Sequence, residues 1–136
     1  MNLEFVRKLT IPMEVKKMYP LTADMEKIFQ ERDRTLKAIL SGADDRLLLI
    51  IGPCSADRQD SVLDYMARLR EVSEKVKDRI FIVPRVYTNK PRTTGKGYKG
   101  LLHQPDPEEK PDMYKGIIAI RQMHMSVVRE TGFTCA

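Results

Sequence analysis

The chain contains no tryptophan, and it has only two cysteines and two histidines among its 136 residues. Cys54 and Cys135 are far apart, and no apolar leader precedes them. This scarcity argues against a disulfide-rich secreted domain and indicates a reducing compartment, so we expect a cytoplasmic protein. Neither His103 nor His124 has a partner at the spacing of a zinc site, which argues against a zinc domain.

Long apolar runs are also absent. None approaches the roughly 20 residues that span a bilayer, so we predict no membrane partner. The net charge of +5, from 24 basic and 19 acidic residues, is modest, and the five cations between residues 85 and 99 could supply it alone. Positive charge is therefore local, whereas a nucleic-acid track would need a wider basic stripe with interleaved aromatic residues. We predict no nucleic-acid partner.

Hydrophobic spacing predicts alternating helices and strands. A helical period follows Thr22 and can end at Gly42, a second covers 60–77, and a third follows Asp112. The continuous apolar run Leu47–Ile51 and the segment 79–87 are typical of strands buried on both faces of a parallel sheet. Residues 132–136 resemble the start of another strand. This order predicts an α/β fold.

Two further segments have weaker patterns. Residues 1–20 contain two prolines and no sustained period, so they are predicted to form an extended arm. The third helix carries one apolar stripe, on which we expect His124 to be part of the core rather than a metal ligand. The stripe comprises Met113, Ile117, Ile120, His124 and Val127.

The segment RVYTNKPRTTGKGYKG, residues 85–100, gathers cations without a single carboxylate. The cations are Arg85, Lys90, Arg92, Lys96 and Lys99. Side chains of this kind bind phosphate or carboxylate, the adjacent threonines Thr93 and Thr94 add hydroxyls, and we expect Gly95 and Gly97 to permit close backbone approach. The segment lacks the GxxxxGK[ST] spacing of a P-loop.

Cys54 follows the first predicted strand, and the basic segment follows the second. Because carboxyl ends of parallel strands meet at one edge, we expect the thiol and the cations to lie at the same rim. This arrangement predicts a phosphate site. A packing role for Cys54 and a solvated basic surface remain the alternatives.

The segments IIGPCS and RVYTNKPRTTGKGYKGL, with the helix between them, resemble the metal-dependent 3-deoxy-D-arabino-heptulosonate 7-phosphate (DAHP) synthases, in their microbial feedback-regulated type. The resemblance implies the N-terminal part of a (β/α)8 TIM barrel. Residues 1–45 would be an N-terminal extension of arm plus helix, and residues 46–136 the first strands and helices of an incomplete barrel. A whole barrel takes about 250 residues, so we expect an N-terminal fragment.

The activity implied by the resemblance is the first step of the shikimate pathway and of aromatic amino acid biosynthesis, catalysed by a transferase. Phosphoenolpyruvate condenses with erythrose 4-phosphate to give DAHP and phosphate. The related octulosonate-phosphate synthases have KANRTS where this chain has KPRTT, which favours erythrose 4-phosphate as the acceptor. The resemblance also implies a divalent metal ion, such as Mn, Fe, Co or Zn, that polarises the aldehyde.

The resemblance also implies roles for those residues of this chain that match the family's motifs. Cys54 would be a metal ligand, and Arg85 and Lys90 would hold phosphoenolpyruvate, with Lys90 also close to the reacting aldehyde as the catalytic residue. Arg92 and Thr93, in a loop shaped by Pro91, would hold erythrose 4-phosphate. The other metal ligands come from later strands, so the metal site is expected to be incomplete here.

We therefore expect the longer protein to be a homo-oligomeric synthase and this chain alone to be inactive. An alternative is a non-catalytic anion-binding remnant that associates with an intact synthase subunit through its arm. A third reading, a basic-loop nucleic-acid binder, would show steep salt dependence.

Overall fold

The structure is a computed structural model that describes residues 7–90 and 96–136. Its elements follow one another as helix, helix, strand, helix, strand and helix. They are α1 (Pro12–Met18), α2 (Ala23–Leu40), β1 (Leu47–Ile51), α3 (Gln59–Val76), β2 (Ile80–Pro84) and α4 (Met113–Thr131). The two strands are parallel, with Leu49 opposite Ile82. The predicted βαβ unit is therefore confirmed, and α3 is its crossover helix.

The predicted helix boundaries are also confirmed. The Thr22 hydroxyl accepts a hydrogen bond from the Met25 amide at 3.3 Å and so caps α2. The Asp112 carboxylate accepts from the Lys115 amide at 3.0 Å at the start of α4. Each such cap contributes about 1 kcal/mol. Helix α4 ends at Gly132, whose positive φ of 70° suits a residue without a Cβ.

The prediction of an extended arm over residues 1–20 is wrong for Pro12–Met18, which form α1. Pro12 stands at the start of this helix, where its missing N–H breaks no helical hydrogen bond. The Glu14 carboxylate accepts from the Ile11 amide at 3.1 Å and stabilises the same end. Seven residues are too few to display a helical period, so the sequence pattern missed this helix.

The chain's last residues lie along the edge of β2 that β1 leaves open. The Ala136 amide donates to the Pro84 carbonyl at 2.8 Å, and the Val86 amide donates to the Ala136 carbonyl at 2.8 Å. This is the hydrogen-bond pattern of a parallel bridge. The start of a strand that was predicted at residues 132–136 is thus present as one bridge to β2.

The core lies between β2 and the pair of helices α3 and α4. Its buried members are apolar, and the largest is Phe133, with no exposed surface. They are Ala56, Val62, Met66, Ile82, Val86, Leu101, Met123, Val127 and Phe133. Burying a valine, isoleucine, methionine or phenylalanine side chain contributes about 2 kcal/mol. This burial holds α3 and α4 against β2.

The prediction that both strands are buried on both faces is wrong for β1. Leu47 is 63% exposed, Ile50 55% and Ile51 39%, whereas Ile82 in β2 is 3% exposed. The reason is that β2 covers only one edge of β1, and the core helices reach chiefly its Leu49 side. An apolar edge strand is left open to solvent.

The apolar stripe of α4 is covered to different extents along the helix. Val127 of this stripe is fully buried in the core. Ile117 and Ile120 are half-buried and line a groove shared with Val15 of α1. His124 lies in the same groove, half-buried rather than in the core. None of the helices in the described residues is long and apolar enough to cross a membrane.

Candidate functional site at the strand ends

Two loops lie side by side where β1 and β2 end. The Arg85 amide donates to the Ile51 carbonyl at 2.8 Å, extending the ladder by one bond past β2. Farther along, the Ala56 amide donates to the Tyr87 carbonyl at 2.9 Å. These bonds hold the turn after β1 against the segment after β2, and the predicted common rim is present.

Gly52 permits this close approach. A Cβ built at this position would lie 1.9 Å from the Arg85 carbonyl oxygen, far inside van der Waals contact. Any side chain would therefore push the two loops apart. The glycine of the GPCS motif has a direct steric role, which is to let the Cys54 turn lie against the Arg85 backbone.

The rim brings Cys54 and Lys90 together. The Lys90 ammonium nitrogen lies 3.9 Å from the Cys54 sulfur, a long hydrogen bond to a weak acceptor. Cys54 is exposed and Lys90 half-buried, so both groups are reachable from solvent. The geometry places a thiol and an ammonium group where a ligand could contact both.

Arg85 lies at the same rim, half-buried, with its guanidinium 4.2 Å from the centre of the Tyr87 ring. A cation over an aromatic face is held in place without losing its charge. Within residues 7–90 and 96–136, no carboxylate forms an ion pair with the rim cations. Those cations are Arg85, Lys90, Lys96 and Lys99. Their charge is thus available to an anionic ligand.

A third segment supports the rim from the other side. The Lys90 amide donates to the Lys99 carbonyl at 2.8 Å, and the Leu102 amide donates to the Thr88 carbonyl at 3.0 Å. The glycine that permits this contact is Gly100, where an added Cβ would lie 2.6 Å from the Thr88 carbonyl oxygen. An added Cβ at Gly97 would meet open space among the described residues, so the close approach expected there would be to a ligand and stays a prediction.

Three of the predicted substrate contacts, Pro91, Arg92 and Thr93, lie outside the described residues, as do Thr94 and Gly95. The structure therefore positions Cys54, Arg85 and Lys90 of the predicted site. The roles of all six residues stay predictions.

Two residues near the rim were missed by sequence reasoning. The hydroxyl oxygen of Ser55 is buried and has no hydrogen-bond partner within the described part of the chain. Its position directly after Cys54 is the sequence feature that could have indicated a place near the site. The pKa of Tyr98 is raised, first by burial and then by the nearby Asp57 carboxylate. Nothing in the local sequence distinguishes Tyr98 from the other tyrosines.

The residues present do not make a metal site by themselves. Among the described residues, no three His, Cys, Asp or Glu side chains come together as metal ligands would. Cys54 offers one exposed thiol, a ligand type suited to Zn and similar ions, where four ligands are usual. Any metal held here needs donors from elsewhere.

One sizeable cavity of the described residues does not coincide with the rim cations. It has a volume of about 610 Å³ and borders the turn that follows Cys54. Four carboxylates line it, from Asp57, Asp60, Asp106 and Glu108. These carboxylates outnumber the one arginine in the lining, Arg58, so the cavity is unsuited to phosphate, and the open rim of Cys54, Arg85 and Lys90 is the candidate anion site.

Comparison with known proteins gives the chain its context. The DAHP synthetase I family matches residues 14–130. The phenylalanine-inhibited phospho-2-dehydro-3-deoxyheptonate aldolase of Saccharomyces cerevisiae is 38% identical over 90% of this chain and 33% of its own length. The Tyr-sensitive enzyme of Escherichia coli is 32% identical over 88% of this chain and 33% of its own length.

A solved phospho-2-dehydro-3-deoxyheptonate aldolase from Francisella tularensis superposes with a TM-score of 0.89 at 27% sequence identity. The match covers 98% of this chain and 39% of that structure. The chain therefore spans about a third of the length of these relatives. The predicted fold class, the N-terminal part of a (β/α)8 barrel, is confirmed.

Proposed function

This chain belongs to the DAHP synthetase I family, and we propose that it carries part of the substrate site of a DAHP synthase. The reaction condenses phosphoenolpyruvate with erythrose 4-phosphate to give DAHP and phosphate, the first step of the shikimate pathway. A cytoplasmic location and homo-oligomeric assembly of the longer protein are part of the same proposal.

The observation that carries this proposal is the contact of Lys90 with Cys54 at the strand ends, beside the half-buried Arg85. Arg85 presents a planar fork of donors, which suits the carboxylate or phosphate of phosphoenolpyruvate. Lys90 adds a compact positive charge that binds the same substrate. It also stabilises negative charge that develops on the aldehyde oxygen in the transition state.

Erythrose 4-phosphate is assigned to the second half of the basic segment. Arg92 and Thr93 supply a guanidinium and a hydroxyl for its phosphate, and Pro91 restricts the backbone between Lys90 and Arg92. The two substrates would then lie next to each other along one loop, as a condensation requires.

Cys54 is proposed as one ligand of a divalent metal ion whose other ligands come from outside this chain. When bound, such an ion would polarise the aldehyde as a Lewis acid. The exposed Cys54 thiol at the strand end is the group that supports this assignment.

A second candidate function is a non-catalytic, anion-binding remnant that associates with an intact synthase subunit. The observation that favours it is the apolar edge strand β1, with Leu47 63% and Ile50 55% exposed. Such an edge is a ready docking surface for another chain.

Turnover by variants of a full-length protein that contains this chain tests the assignments. Lys90→Ala should lower kcat by about a hundredfold or more, because it removes transition-state stabilisation. Arg92→Ala should mainly raise KM for erythrose 4-phosphate, and Cys54→Ala should abolish metal-dependent turnover. Lys75→Ala, an exposed lysine in the last turn of α3, is the control and should retain wild-type kinetics.

Wild-type kinetics of Lys90→Ala and Arg92→Ala for both substrates would show that the loop is only a solvated surface. Undiminished metal content and activity of Cys54→Ala would remove the metal-ligand role. To separate the two candidate functions, the 136-residue chain is mixed with an intact synthase subunit and analysed by sedimentation. Association without any change in turnover supports the remnant.

A further inference from the structure

A groove of about 480 Å³ lies between α1, α2 and α4 and shares no lining residue with the Cys54–Lys90 rim. Its walls are mainly apolar, from Val15 on α1, Phe29 on α2 and Ile117 and Ile120 on α4. Val15 is 5% exposed, so the floor is firmly packed, while Phe29 keeps 38% of its surface exposed. The volume is within the range of small-molecule sites.

The charges around this groove are all of one sign. The charged side chains that line it are Lys16 and Arg121, and no carboxylate lines it, while the pKa of the His124 imidazole beside them is lowered by burial. Neither Lys16 nor Arg121 forms an ion pair with any residue in 7–90 or 96–136. The groove therefore combines an apolar interior with uncompensated positive charge.

The Arg121 guanidinium is fixed in position. Its Nη2 and Nε atoms donate to the Tyr19 carbonyl oxygen at 2.8 and 3.2 Å. Arg121 is also near enough to His124 to contribute, after burial, to a lowered pKa of that imidazole. A cation held in place by the backbone is a better anion anchor than a freely rotating one.

We propose that this groove binds a small monocarboxylate with an aromatic or branched apolar body and no ammonium group. The apolar body packs on Phe29, Ile117 and Ile120, and the carboxylate faces Arg121 and Lys16. An α-ammonium group would meet the same cations with no carboxylate to receive it, so an amino acid of equal size binds more weakly. This site is separate from the proposed substrate rim and does not depend on its assignment.

The charge preference is tested by titrating the 136-residue chain with three probes of the same carbon skeleton, using ligand-observed NMR. The probes are 3-phenylpropionate, its neutral amide and phenylalanine. We expect a Kd of about 1 mM for 3-phenylpropionate and at least roughly fivefold weaker binding of the amide and of phenylalanine. Phosphoenolpyruvate at constant ionic strength should not displace the bound probe.

Two neighbouring lysines on α1 provide matched variants. Lys16→Glu reverses a charge that lines the groove, and Lys17→Glu reverses another exposed charge that does not. Lys16→Glu should weaken 3-phenylpropionate binding about fivefold, while Lys17→Glu leaves it unchanged. Circular dichroism of both variants checks that α1 and the rest of the fold persist.

Three results would overturn the proposal. The first is no saturable binding of 3-phenylpropionate up to about ten times the expected Kd. The second is an equal loss in Lys16→Glu and Lys17→Glu, which would show general electrostatic attraction. The third is tighter binding of phenylalanine than of 3-phenylpropionate.

Discussion

A Cβ built on Gly52 would lie 1.9 Å from the carbonyl oxygen of Arg85, and 2.8 Å from its carbonyl carbon. The backbones of these two residues are therefore in direct contact. The Arg85 amide also donates to the Ile51 carbonyl at 2.8 Å, so the contact continues the β1–β2 ladder into the candidate site. The position of Cys54, two residues after Gly52, depends on it.

Replacing Gly52 with alanine should therefore lower the free energy of unfolding by about 3 kcal/mol or more, since backbone atoms cannot move aside as a side chain can. Gly42→Ala is the control. Gly42 has a φ of 76° with open space around it, so alanine there should cost only about 1 kcal/mol through backbone strain. Urea unfolding monitored by circular dichroism compares the two. Equal losses would mean that the Gly52–Arg85 contact is looser than described.

Arg32 should hold α2 against the sheet. Its Nη2 donates to the Ile82 carbonyl at 2.5 Å and its Nε to the Thr134 hydroxyl at 3.1 Å, with the guanidinium 4.5 Å from the Phe81 ring centre. Burial, then the nearby Arg70, lowers the pKa of Arg32 to about 10, so it remains charged at neutral pH. We expect Arg32→Ala to cost about 2 kcal/mol in urea unfolding.

The matched control for Arg32 is Arg34→Ala. Arg34 is exposed on the same helix, and no ion pair with another described residue involves it. Its loss should change the free energy of unfolding by less than about 0.5 kcal/mol. If both variants lose the same amount, the loss of any arginine from α2, rather than the loss of the Ile82 contact, explains the effect.

The two cysteines should differ in reactivity toward iodoacetamide. Cys54 is exposed, whereas burial raises the pKa of Cys135 to about 11, despite the opposing effect of Arg32. Because a raised thiol pKa keeps Cys135 protonated at neutral pH, we expect Cys54 to be alkylated at least roughly tenfold faster at pH 7.5. Mass spectrometry of the alkylated Cys54→Ser and Cys135→Ser variants assigns the fast and slow phases of the reaction to the two thiols. A fast phase that survives in Cys54→Ser would contradict the described burial of Cys135.

The exposed side of β1 should drive self-association of the 136-residue chain. Ile50 is 55% exposed on a strand whose outer edge is open among the described residues, and Ile50→Lys places a charge in any contact formed there. We expect this variant to sediment as a smaller species than the wild-type chain. Leu40→Lys is the control, because Leu40 is 70% exposed but ends α2 and lies outside the sheet. An unchanged oligomer size in Ile50→Lys would exclude β1 as the contact.

The same chain should show no turnover. With phosphoenolpyruvate, erythrose 4-phosphate and manganese, we expect no phosphate release above background, since Cys54 is the one metal ligand assigned within it. Phosphate release by a monomer would contradict the prediction.

Much of the βαβ unit could be predicted from the sequence because its signals are local. The apolar run Leu47–Ile51 and the caps at Thr22 and Asp112 each depend on neighbours a few residues away, and the structure has them at the predicted places. The rim was predictable for a related reason. In a parallel pair both carboxyl ends point the same way, so Cys54 and Lys90 had to follow adjacent strand ends.

Only the tertiary structure decided which surfaces are covered and which glycines permit close contacts. The spacing of β1 could not show that Ile50 is exposed, since burial depends on chain segments distant in sequence. For the same reason the sequence could not show that Gly100 lies against the Thr88 carbonyl. The sequence shows that the cations share one segment. The distance of 3.9 Å between the Lys90 ammonium nitrogen and the Cys54 sulfur, however, arises from backbone hydrogen bonds that join three separate loops.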